Sequence, residues 1–233
     1  MDAKKWIAEL RSELKKNGNA AHAKQMQAYM KSALPYYGVK LPAARKIFRE
    51  LSKPLEFASF AQFEKFVRAV YGPATHREER YAALHLLDLK QTRKFQTLEA
   101  VPLYQWLITE GSWWDVVDEV ATHFFAPLLL ADRKATEKVL RSWSHGEHLW
   151  LRRTAIIAQT LMHEDTDVEF LFEMIEPAID EKEFFLRKAI GWALRAASKE
   201  FPREIRSYVD RNVDRLSGLS KREAEKGLTR AGH

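Results

Sequence analysis

Helical periodicity runs through almost the whole chain, and it leaves few folds open. Trp6, Ile7, Leu10 and Leu14 recur at three- and four-residue spacing and predict a helix over Asp2–Asn17, stopped by Gly18. The same pattern predicts helices over Ala20–Ala33, Pro42–Leu51, Phe60–Tyr71, His76–Leu89 and Thr97–Glu110. Pro42 suits a first helical turn, and Gly72-Pro73 breaks the chain after Tyr71. Further helices are predicted from Trp113 to about Ala131, over Asp132–Ser142, from Ser144 to about Leu161, and over Asp165–Ile175, Asp180–Ser198, Pro202–Leu216 and Ser220–Thr229. Three starts carry the spacing of a capping box: Thr75 with Glu78, Ser112 with Asp115, and Ser144 with Glu147. No alternating strand pattern competes with them.

Amphipathic helices joined by short turns suggest antiparallel pairs stacked in chain order. Successive pairs are spaced about 35 to 45 residues apart, the range of HEAT or armadillo units. The expected fold is all-α, a HEAT-like helical-repeat solenoid whose concave face is a long binding surface; a compact all-α bundle is the competing architecture. No Pro/Ser-rich linker divides the chain, so residues 1–233 are expected to form a single domain.

Several function classes drop out on composition. There is no cysteine, which excludes disulfides and thiolate metal sites. His145, His148 and His163 lack carboxylates at ligand spacing, so no metal and no cofactor is expected. No apolar run approaches the ~20 residues that span a bilayer, and Met1-Asp2-Ala3-Lys4-Lys5 lacks the apolar core of a signal peptide. A soluble cytoplasmic protein, bacterial cytoplasm or nucleoid, is the expectation. The formal net charge is +6, and it is unevenly spread: Met1–Lys53 holds twelve basic residues against four acidic ones. That bias allows a nucleic-acid partner and is equally compatible with a solvated helical surface.

The chemistry-bearing stretch is Ser112-Trp113-Trp114-Asp115-Val116-Val117-Asp118. Val117, Val120, Ala121, Phe124 and Leu128 mark its buried stripe. Trp114 and Asp118 are one turn apart, so an indole and a carboxylate share a face at the edge of that stripe. Asp115 is expected to cap the helix, which leaves Asp118 without an evident structural task. In Trp150-Leu151-Arg152-Arg153, Arg153 borders the buried face, where its guanidinium suits a bidentate carboxylate or phosphate. Gly191, inside a predicted helix next to Trp192, points to close packing.

The order Ser112-Trp113-Trp114-Asp115-x-Val117-Asp118, then Trp150-Leu151-x-Arg153, then Lys182-Glu183-Phe184-Phe185-x-x-Lys188-Ala189-Ile190-Gly191-Trp192 closely resembles the AlkD family of DNA alkylation repair enzymes, glycosylases built from HEAT-like repeats. The resemblance runs from near Tyr29-Met30-Lys31, through Gly38 and Pro42, to Leu219-Ser220-Lys221-Arg222-Glu223-Ala224, and it departs around Leu41. It implies a catalytic Asp118, active-site tryptophans at Trp114 and Trp192, and a DNA-contacting Arg153. With Tyr29, Lys31, Arg45, Lys46, Phe184, Phe185 and Lys188, these make the expected site. The implied partner is double-stranded DNA carrying alkylated purines, bound by a monomer. The implied activity is monofunctional release of cationic N3- and N7-alkylpurines such as 3-methyladenine and 7-methylguanine.

The residues suit that chemistry. A cationic base leaves without a general acid, and the departing bond builds oxocarbenium character on the sugar. A carboxylate stabilises that charge and can orient or deprotonate water, indoles offer π faces to it, and arginine holds a phosphate. The alternative is a non-catalytic HEAT-repeat module that binds DNA or protein, because fold alone does not decide function. Binding to plain duplex DNA separates a DNA reader from a protein adaptor. The basic N-terminal quarter and Arg153 predict that raising salt from about 50 to about 200 mM weakens duplex binding by orders of magnitude if roughly six or more phosphates are contacted. A fluorescence-anisotropy salt titration with a flat response would refute phosphate-driven binding.

Overall fold

The structure, a computed structural model, describes residues 2–232. All regular structure among them is helical, and it gathers into two compact units, Met1–Ala100 and Val101–His233. The first holds α1 (Ala3–Lys16), α2 (Ala20–Met30), α3 (Leu41–Ser52), α4 (Phe60–Tyr71) and α5 (Arg77–Leu87). The second holds α6 (Val101–Gly111), α7 (Trp114–Ala131), α8 (Arg133–Ser144), α9 (Leu149–Ile157), α10 (Val168–Ile175), α11 (Phe184–Ala197), α12 (Pro202–Arg211) and α13 (Gly218–Arg230). In the second unit the packed helices lie one to three places apart in chain order, the packing of a helical-repeat solenoid. The all-α, HEAT-like expectation agrees with this organisation.

In the first unit α1 packs on α3, α4 and α5 through Trp6, Leu10 and Leu14, all fully buried. The Trp6 indole N–H donates to the Leu51 carbonyl at 3.0 Å, and its ring meets Phe66 edge-on. The aromatic loop after α2 hangs from one buried carboxylate: Glu78 accepts the main-chain N–H groups of Tyr37, Gly38 and Val39 at 2.9–3.2 Å. Gly38 is required there. Its φ is +83°, and a Cβ would lie 2.0 Å from the Asn19 carbonyl oxygen.

The capping box expected at Thr75 does not form: His76 is the N-cap of α5, with no side-chain cap bond. Thr75 donates its hydroxyl and its main-chain N–H to Glu79, not Glu78, because Glu78 turns inward to the loop. Glu79 also accepts from Arg11 at 2.9 Å and from the Tyr37 hydroxyl. Burial pushes the Glu79 carboxyl up, but the bonds from Arg11, Thr75 and Tyr37 outweigh it and hold it below the usual glutamate range. Burial and the bond to Glu79 push the Tyr37 phenol to about 12, so it remains a donor.

Two other capping boxes are also corrected. Ser112 has φ +37° and donates its hydroxyl to the Thr109 carbonyl, so it closes α6. Extended Trp113 is the N-cap of α7, and Asp115 accepts the N–H of Val116 at 2.9 Å. Ser144 ends α8 by bonding the Arg141 carbonyl, and α9 starts after His148. Helix α9 also stops at Ile157, short of Leu161. Gln159 takes both the N–H and the carbonyl of Asp167 at 2.8 and 3.0 Å, and so fixes a turn. Helix α11 begins at Phe184 rather than Asp180, with the Glu183 side chain accepting the Phe185 N–H.

The core of the second unit runs through Ile156, Ile157, Leu171, Ile175, Ile190 and Leu194. Helices α11 and α13 come together at two glycines. A Cβ on Gly191 would sit 2.9 Å from the Glu223 Cβ, and one on Gly227 would sit 2.7 Å from the Arg195 carbonyl oxygen and 2.1 Å from the Ser198 hydroxyl. The close packing expected at Gly191 is therefore against α13.

Gly227→Ala gains about 1 kcal/mol of helix propensity but overpacks a backbone contact by about 1–3 kcal/mol or more. A net loss of stability in urea unfolding is expected, whereas Gly146→Ala, with its nearest contact at 3.4 Å, stays near neutral. Glu79 generates a pH prediction. Its folded value lies below its unfolded one, so its ionised form stabilises the first unit above the unfolded value, and this is lost as pH falls through the folded value. Glu79→Gln should flatten the fall of the urea midpoint below about pH 4.3; an unchanged acid slope would count against the network.

Candidate active site

Three helices of the second unit each bring one aromatic ring and one polar group to the same place. Helix α7 carries Trp113 at its N-cap and Asp118 one turn inside. Helix α9 carries Trp150 and, three residues on, Arg153. Helix α11 carries Phe185 in its first turn. Helix α9 packs on both α7 and α11, which allows groups 32 and 35 residues apart in sequence to bond directly.

The polar centre is a bidentate ion pair. Arg153 Nε donates to Asp118 Oδ1 at 2.7 Å, and Nη2 donates to Oδ2 at 2.8 Å. Nη1 donates to the Phe185 main-chain carbonyl at 2.6 Å. The Arg153 side chain is 6% exposed and that of Asp118 18%, so the arginine is the more deeply buried partner. Of the five guanidinium N–H groups three are engaged, and one more remains on each terminal nitrogen. Burial pushes the Asp118 carboxyl up, the bonds and charge of Arg153 pull it down, and Asp115 adds to the rise. The net direction is upward. This makes the carboxylate a stronger base than an exposed aspartate, without removing the partner that keeps it charged.

Around the pair lies an aromatic cluster. Trp150 and Phe185 have centroids 4.8 Å apart, Trp113 meets Phe185 edge-on at 5.3 Å, and Trp113 meets Trp150 at 6.0 Å. Phe184 meets Phe185 at 5.4 Å. The Trp113 indole N–H is buried and meets no protein acceptor.

The expected site residues fall in both units. Trp114 and Asp118 are half-buried on one face of α7, as their one-turn spacing implies. Trp192 is half-buried two turns beyond Phe185 on α11, Lys188 is half-buried between them, and Phe184 is 51% exposed. Tyr29, Lys31, Arg45 and Lys46 belong to the first unit. Tyr29 is 78% exposed, Lys31 is the left-handed C-cap of α2, and Arg45 and Lys46 are exposed on α3. Asp118 does have a structural role that the sequence reading did not find, since it neutralises Arg153. Arg152, by contrast, pairs with Glu181 and the Pro177 carbonyl.

Sequence reasoning missed Trp113 and the Phe185 carbonyl. The paired indoles at Trp113 and Trp114 were a visible signal for the first, but a main-chain acceptor leaves no signature in side-chain identity. Among the described residues no cluster of His, Asp or Glu is arranged to hold a metal ion, and no helix is long and apolar enough to cross a membrane.

A family model described as DNA alkylation repair enzyme matches residues 10–228. Among solved structures the chain is similar to a predicted DNA alkylation repair enzyme from Enterococcus faecalis, with 29% sequence identity and a TM-score of 0.82, over 92% of this chain and 98% of that one. No curated protein matches the chain. With nearly the whole sequence matched from α1 to α13, the chain belongs to the DNA alkylation repair enzyme family.

Proposed function

We propose that the chain is a monofunctional DNA glycosylase of the AlkD type, acting as a monomer on duplex DNA and hydrolysing the N-glycosidic bond of cationic N3- and N7-alkylpurines. The observation that carries this reading is the half-buried carboxylate of Asp118, held in both oxygens by Arg153 and one turn from Trp114. Residues 1–233 are taken to act as one functional domain, with the basic N-terminal quarter contributing to DNA affinity through Lys31, Arg45 and Lys46.

Alkylation has already charged the leaving base, so the protein's task is to stabilise the sugar as the bond breaks. Asp118 presents negative charge to the oxocarbenium-like carbon and orients or deprotonates the attacking water. Arg153, buried and bonded to both carboxylate oxygens, fixes their direction. Trp114 and Trp192 offer π faces to the cationic sugar. Membership of the DNA alkylation repair enzyme family supports the choice of substrate.

Single-turnover release of 7-methylguanine from alkylated duplex DNA tests the reading. Asp118→Asn is expected to lower the rate by roughly 100- to 1,000-fold. It also leaves Arg153 buried without its counter-ion, which costs about 3–5 kcal/mol. The double variant Asp118→Asn, Arg153→Met is therefore included, expected to regain stability but not rate. Asp115→Asn is expected to be mild. In the wild type the acid limb of kcat/KM is expected above the ~3.9 of an exposed aspartate, because Asp118 is shifted upward and must be ionised. Duplex binding without release of any base would instead make the protein a non-catalytic module. A dead Asp115→Asn beside an active Asp118→Asn would reverse the roles assigned along α7.

A further inference from the structure

We propose that Phe185 is a positioning residue for the Asp118–Arg153 pair: its ring, packed against both Trp113 and Trp150, fixes the main-chain carbonyl that holds the third point of the Arg153 guanidinium. The inference rests on the proposed function for its meaning in catalysis, but its geometry stands separately.

A bidentate ion pair leaves one motion soft. The guanidinium and carboxylate planes can swing together about the arginine stem while both hydrogen bonds are kept. A third bond, from Nη1 to a fixed acceptor, removes that freedom. The Phe185 carbonyl supplies it at 2.6 Å, the shortest of the three bonds that Arg153 makes. Phe185 is in the first turn of α11, and a helix carbonyl has a second lone pair available beside its intrahelical bond. Helix ends fray unless they are tied. Here the tie is the ring: Trp150 at 4.8 Å, Trp113 at 5.3 Å and Phe184 at 5.4 Å surround it.

The same rings locate the other two partners. Trp113 is the N-cap of the helix that carries Asp118, and Trp150 lies three residues before Arg153. One aromatic cluster thus sets the N-termini of α7, α9 and α11 and, with them, all three groups of the polar centre. Phe184, at 51% exposure, remains the neighbour able to touch a partner directly.

The test compares Phe185→Ala with Phe185→Tyr, which keeps the ring. Exchange of the Arg153 side-chain Nε–H, followed by NMR in protein labelled at arginine nitrogen and assigned by its loss in Arg153→Lys, needs no catalysis. Slow exchange is expected in the wild type, fast exchange in Phe185→Ala, and restored protection in Phe185→Tyr. Single-turnover release of 7-methylguanine at saturating enzyme is expected to fall by up to about 100-fold in Phe185→Ala, with duplex Kd unchanged. The acid limb of the rate should move to higher pH, since a loosened Arg153 lowers the Asp118 carboxyl less. Phe185→Tyr should recover most of the loss. If Phe185→Ala does not fold, Phe185→Leu, which keeps apolar bulk without a flat ring, is read in the same way.

Unchanged Nε–H exchange in the folded variant overturns the proposal. So does a weakened Kd with an unchanged saturated rate, which would make Phe185 a DNA contact, and so does a lowered rate with an unmoved acid limb. Failure of the wild type to release any base overturns the proposed function instead, and leaves the exchange measurement to decide the positioning.

Discussion

The buried ion pair between Asp118 and Arg153 is the interaction on which the site depends. An arginine side chain with 6% exposure is tolerable only beside a carboxylate in good geometry, and here both oxygens are engaged. The pair binds α7 to α9, and the third bond to Phe185 binds α9 to α11. Structure and chemistry therefore cannot be separated at this point. The residue assigned to the reaction also neutralises the charge that joins two of the unit's helices.

That coupling shapes the reactivity of the carboxylate. Burial alone would drive Asp118 toward protonation, and the arginine alone would make it a weak base. The balance leaves it shifted upward with its counter-ion in place. Such a group can stabilise positive charge on a sugar and accept a proton from water. The orientation of the carboxylate is set by the more deeply buried arginine, while the Asp118 side chain keeps partial exposure.

The packing that holds α11 in place extends away from the site. Gly191 and Gly227 let α11 and α13 approach to backbone contact, and Ser220 reinforces this by donating to the Arg187 carbonyl. Helix α13 carries no expected site residue, yet it backs the helix that presents Phe185, Lys188 and Trp192. In the first unit a comparable economy appears at Glu78, where one buried carboxylate holds three consecutive amides of the loop between α2 and α3.

The all-helical character of the described residues and the face shared by Trp114 and Asp118 were legible in the sequence, because 3.6-residue periodicity is a local property that burial repeats along every helix. The bounds of α4 were legible for the same reason, with Gly72-Pro73 after it, and the structure adds the Ser59 side chain as its N-cap. Arg153 could be singled out as an arginine beside an apolar face, though not its partner, since the pairing joins residues 35 apart in sequence. The capping boxes at Thr75, Ser112 and Ser144 misled because a cap is a competition among acceptors, and distant groups enter it: Glu78 is drawn to the loop, and Ser112 to the preceding helix. The sequence by itself determined an all-helical chain with an indole and a carboxylate one turn apart. Only the tertiary structure decided that this carboxylate is held by Arg153 and, through a main-chain oxygen, by Phe185, because hydrogen bonds across helices depend on how helices pack and a carbonyl is common to every residue.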